Sequence, residues 1–342
     1  NAWTIRFVPG FDAIIDQERS IRVLTSLLTS GSIPHALLFT GIEGVGKRTA
    51  ATAFAMACNC TGKRVEGRGE ACGECTACRR IAADRHPDVL RVSPSGLQIK
   101  IDQIRSLCQS LAMKPYEART RVAIVAEAHR MNPAAGNALL KMLEEPPDRT
   151  ILILTAPQTA DLLPTIVSRC QHIRFKPIAR RHIAAMLAAA YGFSPEDAQL
   201  TATLANGSVT RALAMQRRGW VQRRKWILSE MAELAQRPTT SLLALAEKSS
   251  QAKEDIPEML DLMATWVRDV AVARYSPDRI IHQDLKDPIL EASRRSDPEC
   301  LIRAGGAIEE ARRRIRANSN PRLTLEALWL TLAASAPAAA GM

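Results

Sequence analysis

The first 176 residues alternate between short apolar runs and amphipathic stretches. Runs at 36–40, 88–92, 121–127, 150–155 and 171–175 predict five strands, most of them apolar enough to be covered on both faces. Between them the spacing changes to the helical period. A helix is predicted over 11–28, ended by Gly31 and Pro34, and another over 49–58. Ile101, Ile104, Leu107, Cys108 and Leu111 mark one face of a third, and Pro133 opens a fourth over 134–145 that Pro146 and Pro147 stop. Strands alternating with crossover helices predict a parallel, doubly wound α/β sheet, with ligands at the carboxyl ends of its strands. Beyond Pro177 only the helical period remains. Gly192 and Gly207 punctuate a three-helix stretch over 177–237, and a second helical region, 238–342, breaks near Pro257, Pro277, Pro288, Pro298 and Pro321. The expected class is therefore α/β followed by all-α, in domains 1–176, 177–237 and 238–342.

Two stretches of the first domain carry chemistry. Between the first strand and the helix after it lies Gly41-Ile42-Glu43-Gly44-Val45-Gly46-Lys47-Arg48. In a strand, glycine loop, helix context, backbone N–H groups and a helix N-terminus converge on an anion, so Gly41, Gly44, Gly46 and Lys47 are candidate phosphate ligands. The last position departs from the pattern. A Ser or Thr hydroxyl should ligate magnesium there, and the chain has Arg48; Thr49 is rotated by roughly 100° along the helix and is no substitute. The strand 121–127 departs too, because a nucleotide hydrolase ends it in Asp-Glu and this chain has Ala126-Glu127. Glu127 is open to a packing role or a chemical one.

The second stretch is a cysteine module at about 58–80. Cys60, Cys72, Cys75 and Cys78 are spaced as C-x11-C-x2-C-x2-C, which suits tetrahedral zinc better than disulfides in a reducing compartment. Cys58 competes with Cys60 for the fourth position, and His86 is a further contender. Four protein ligands leave no open coordination position, so the expected role is structural. Cys108 and Cys170 read as buried thiols.

Composition adds three bounds. A chain of 342 residues predicts two or three domains. The formal charge of +11 points to an anionic partner without naming it. No apolar run reaches 18 residues and no apolar leader is seen, so a cytoplasmic protein with no membrane partner is expected. Trp220, Trp226, Trp266 and Trp329 read as helix-packing residues, and the run Arg312 to Arg316 as a solvated helix face.

Several stretches together resemble the AAA+ clamp-loader subunits of bacterial DNA polymerase III. They are Pro34-His35-Ala36-Leu37-Leu38-Phe39, the Gly41 to Lys47 loop, the four cysteines, Asn137-Ala138-Leu139-Leu140-Lys141, Leu143-Glu144-Glu145-Pro146-Pro147 and Ser168-Arg169-Cys170. Asn318 to Glu326 is similar to the end of the collar domain in the delta-prime branch of that family. The resemblance implies a RecA-like AAA+ domain with a zinc module, a small helical lid and a helical collar. It also implies that Arg169 is an arginine finger directed at ATP on a neighbouring subunit, and that Arg105 contacts DNA phosphate. The implied partners are gamma/tau and delta subunits, the sliding clamp and primed DNA. Arg48 and Ala126, with Thr210 where an active subunit usually offers an Arg and Arg211 one position late, place the chain with the members that do not turn over Mg-ATP. Two other readings stay open: an active, gamma/tau-like ATPase using Lys47 and Glu127, and a free-standing zinc-dependent DNA-binding protein.

Overall fold

The computed structural model describes residues 10–62, 70–217, 220–234, 237–317 and 319–335, without the side chains of 216, 217 and 220–222. Asn318, residues 63–69 of the cysteine module and the Trp220 side chain thus lie outside the described residues. The chain divides into two compact units, 1–191 with 205–212, and 192–204 with 213–342. The division falls inside the 177–237 stretch.

The first unit is built on one parallel sheet. Its strands are β1 (Ala36–Thr40), β2 (Val89–Val92), β3 (Arg121–Val125), β4 (Thr150–Ala156) and β5 (Gln171–Arg174), and they lie in the order β2-β3-β4-β1-β5. Leu38 is level with Leu154 on one side and His172 on the other, so β1 sits between β4 and β5 and its carboxyl end opens where the strand order reverses. Every residue of β1, β3 and β4 is buried, as continuous apolar runs require, whereas the edge strand β5 exposes Gln171, His172 and Arg174. Helices α4 (Ile101–Ala112) and α5 (Pro133–Glu144) cover one face through Ile104, Leu107, Leu111, Leu139 and Leu143, with Cys108 and Cys170 partly buried beside them. Asn132 caps α5, its side chain accepting from the Ala135 N–H at 2.8 Å, and Pro133 takes the first turn, where no N–H is needed.

The helix expected over 11–28 is interrupted. A single 3-10 turn at Phe11–Ala13 precedes α1 (Glu18–Ser30), and Asp16 between them is left-handed at φ 60°. Contacts far along the chain impose the break. The Asp16 carboxylate accepts from the Ala179 N–H at 2.6 Å and pairs with His182, while the buried Gln17 amide spans both polar groups of the Lys176 peptide, at 2.7 and 2.8 Å. Periodicity carries no trace of partners some 160 positions away.

Among its described residues the second unit holds helices and no strand. Its described helices include α10 (Trp220–Glu233), α11 (Thr239–Ser250), α12 (Ile256–Ala273), α13 (Lys286–Arg295), α14 (Pro298–Arg316) and α15 (Pro321–Ser335), and Trp266, Trp329, Met263 and Ile308 lie in their core. Trp226 packs partly against that core and carries Lys248 over its ring at 4.5 Å. Pro257, Pro298 and Pro321 fall in the first turns of α12, α14 and α15, so these prolines start helices as much as they separate them. A polar knot is buried in this unit: Arg224, 1% exposed, donates to both oxygens of Asp284 at 2.7 and 2.6 Å and lies 2.9 Å from His282 Nδ1. The arginine run on α14 is largely paired with acids, Arg312 with Asp261 and Glu309, and Arg313 and Arg314 with Glu310.

Candidate functional site

The glycine loop occupies the carboxyl end of β1, and Gly46 caps α2 (Lys47–Asn59) in left-handed geometry. Its glycines are demanded by packing. At Gly41, φ 146°, a Cβ would stand 2.6 Å from the Phe175 carbonyl oxygen. At Gly44, φ 78°, one would meet Ser208 Oγ at 2.5 Å and the Thr210 nitrogen at 2.7 Å. The start of α9 (Val209–Arg217) is seated on the loop, and the Val209 N–H donates to the Gly44 carbonyl at 3.2 Å. Lys47 turns back on the loop, donating to the carbonyls of Gly41 and Ile42. Burial pulls its amine down to about 8, against the opposing pull of Glu43 and Glu127.

The position where a Ser or Thr hydroxyl would ligate magnesium carries a cation instead. Arg48 is exposed at the first turn of α2, and Arg91 of β2 lies close enough for the two guanidiniums to repel. Arg91 donates to Thr52 Oγ1 at 3.0 Å and pairs with Asp84. At the end of β3, Ala126 is buried and brings no oxygen. Glu127 follows in left-handed geometry, φ 53°, held by its own N–H donating to Thr155 Oγ1 at 3.0 Å, and its carboxylate turns to Arg130 Nε at 2.9 Å. The carboxylate survives in an ion pair, without the neighbouring Asp that would hold a metal beside it.

Arg169 lies just past the short helix α6 (Pro164–Val167), which precedes the edge strand β5. Its side chain is 36% exposed; one guanidinium nitrogen donates to the Thr165 carbonyl at 3.0 Å and the other pairs with Glu144, the last residue of α5, at 2.8 Å. Arg105 is exposed on α4.

The cysteines converge. The Sγ atoms of Cys60, Cys72, Cys75 and Cys78 all lie within 4.8 Å of one another, near the separation of about 3.8 Å that Zn–S bonds of about 2.3 Å impose in a tetrahedron. A ladder of backbone N–H groups points at the sulfurs: Cys72 to Cys60, Cys75 to Cys72 and Cys78 to Cys75, each at 3.4 Å. Burial resists ionisation of Cys75, but hydrogen bonds from Cys78 and Thr61 outweigh it and bring that thiol down to about 5; burial, with the bond to Cys75, pushes Cys78 up. The donor set thus fits a soft divalent ion such as zinc. The fourth sulfur is that of Cys60, at the end of α2, and neither Cys58 nor His86 joins the cluster; His86 Nδ1 instead accepts from the Asp88 N–H at 3.2 Å. The module is tied to the unit at that junction, where the Asn59 amide donates to the Thr120 carbonyl at 2.9 Å and accepts from its N–H at 3.0 Å.

Sequence reading passed over three groups. One is the seating of Ser208 and Thr210 on Gly44, a contact between residues distant in sequence. The second is Glu144 beside Arg169. The third is Asp88, fully buried, whose carboxylate accepts the N–H groups of Tyr116, Glu117 and Ala118 at 2.8 to 2.9 Å and pairs with Arg121 at 3.1 Å. An Asp at the start of an apolar run was the one available signal.

Residues 16–179 match the family model described as DNA polymerase III, delta subunit, and residues 218–333 match its C-terminal counterpart. The DNA polymerase III subunit delta-prime of Bacillus subtilis is 31% identical over 92% of this chain and 96% of its own length. The tau subunit of the same organism is 36% identical over 51% of this chain, which spans only 30% of that relative. A gamma-subunit-related protein of Thermotoga maritima, known by crystal structure, superposes with a TM-score of 0.43 at 18% identity, covering 92% of this chain and 99% of its own. No described helix is long and apolar enough to cross a membrane. With the parallel sheet, the glycine loop and the four-cysteine cluster in place, the chain belongs to the delta-prime family of DNA polymerase III clamp-loader subunits.

Proposed function

We propose that this chain is a clamp-loader subunit that does not turn over ATP itself and lends Arg169 to the nucleotide site of a neighbour. One observation carries the reading: both protein ligands of a catalytic magnesium are replaced, by Arg48 and Ala126, while Arg169 stays partly exposed at the rim of the sheet. Phosphoryl transfer depends on neutralising charge at the transferring group, and each 1.4 kcal/mol forfeited there is about tenfold in rate. The glycine loop supports this reading as well, since its glycines accommodate Phe175, Ser208 and Thr210 and its lysine is engaged with loop carbonyls.

In this reading the gamma/tau and delta subunits are the partners, and the assembly opens the sliding clamp and loads it on primed DNA. The stretch 177–237 serves as lid and 238–342 as the collar that joins the ring. Zinc held by Cys60, Cys72, Cys75 and Cys78 supplies rigidity and no chemistry. Arg105 contacts the DNA backbone, a contact that reads charge and shape and not sequence. The test is Arg169→Ala in the complex reconstituted with gamma/tau and delta subunits. DNA-stimulated ATP turnover falls on the order of 10³-fold or more at the site it serves, with assembly intact. Unchanged turnover by the assembled variant overturns the assignment.

A further inference from the structure

An arginine that acts on a neighbour's phosphate has a problem of its own. Its side chain carries about 2 kcal/mol of rotamer entropy, and a partly exposed guanidinium with no anchor samples many positions before the partner arrives. In this chain it is anchored. The guanidinium donates to the Thr165 carbonyl at 3.0 Å, to Ser168 Oγ at 3.4 Å and to Glu144 Oε1 at 2.8 Å. The first two acceptors belong to the same short turn as Arg169. Glu144 does not, and it is the one charged contact of Arg169 among the described residues. It comes from the end of α5, so it ties the arginine to the helix that packs against the sheet.

The seat of the turn on α5 is itself built. Gly136, buried on α5, faces Leu163 and Ile166 of the turn: a Cβ there would stand 3.0 Å from Leu163 Cδ1 and 3.9 Å from Ile166 Cδ1. A larger residue there would press on the Leu163 side chain. The small residue at one end and the carboxylate at the other fix the position of Arg169 relative to α5. The Nε–H is left with no protein acceptor among the described residues and is available to an anion.

We infer that Glu144 is the positioning residue of Arg169, holding the guanidinium in the conformation that meets a phosphoryl oxygen on the neighbouring subunit. The inference rests on the trans role of Arg169. Its physical content is preorganisation: the carboxylate restricts an otherwise mobile cation, and its charge is used to place that cation without touching the nucleotide. Glu144 is exposed, so replacing it leaves the core untouched.

The test is a double-mutant cycle on DNA-stimulated turnover by the reconstituted complex, with Glu144→Ala, Arg169→Ala and the pair, and Glu144→Gln as the variant that keeps an acceptor without the charge. Glu144→Ala is expected to lower kcat roughly three- to tenfold with the KM for ATP and assembly unchanged. Glu144→Gln should lose less, and the pair should be no worse than Arg169→Ala alone. Normal kcat in Glu144→Ala, with Arg169→Ala impaired, overturns the positioning role and leaves the finger standing. Multiplying losses in the pair would mean that Glu144 acts by another route, and faster turnover in Glu144→Ala would mean that it restrains Arg169; either outcome also overturns the inference. Normal turnover in Arg169→Ala removes the finger and the inference together.

Discussion

Asp88 and His282 show how single buried groups set the stability of each unit. Asp88 is fully buried, yet three N–H groups and the Arg121 guanidinium outweigh the cost of burial and bring its carboxyl down to about 2. Arg121 also donates to the carbonyls of Ser110, Met113 and Lys114, so the pair fastens the whole 110–121 connection to the start of β2. Asp88→Ala strands three N–H donors and a nearly buried cation; a loss of about 3 kcal/mol or more in denaturant unfolding of the first unit is expected, and a change under 1 kcal/mol would refute the role. His282 has the opposite chemistry. Burial and then the Arg224 charge bring it down to about 3 from its usual 6.5, so it is neutral when folded and protonates when unfolded. The unfolded chain then binds more protons between about pH 6.5 and 3, and stability falls as pH falls through that window. His282→Asn should flatten that part of the stability profile; an unchanged slope would show that the titration lies elsewhere.

At the scale of elements, the apolar runs were legible because a strand buried on both faces must be continuously apolar. β1, β3 and β4 stand where those runs lie, and β5 was legible mainly through its Ile173 and its place after α6. The break at Asp16 and the seat of α9 on Gly44 were not legible, since each depends on partners brought close only by the fold. The cysteine module was legible as a cluster, because sulfur at short spacings has few other uses in a reducing compartment. The sequence already favours Cys60 over Cys58 as the fourth ligand, and the fold supplies the reason: Cys60 caps the end of α2, whereas Cys58 lies one residue inside the Asn59 tie to Thr120. Few apolar residues order this module beyond Cys78 and Ile81 of α3 (Thr76–Ala82). Metal removal by a strong chelator should therefore speed amide exchange in α3 about tenfold or more while β1 and β4 keep their protection. Equal protection with and without chelator would deny the metal a structural role.

The whole molecule can serve one of two nucleotide sites, its own or a neighbour's. Its own glycine loop keeps Gly41, Gly44, Gly46 and Lys47, and sequence alone reads those as phosphate ligands. The fold gives two of the glycines another reason to be there, with Phe175 pressed against Gly41 and Ser208 against Gly44. Arg169, by contrast, is partly exposed and braced by Glu144. The direct measurement is DNA-stimulated ATP turnover by the reconstituted complex carrying either Lys47→Ala or Arg169→Ala in this chain alone. Normal turnover with Lys47→Ala and a large loss with Arg169→Ala are expected. The reverse pattern, turnover lost with Lys47→Ala and retained with Arg169→Ala, would mean that the chain hydrolyses its own nucleotide and would refute the trans role of Arg169.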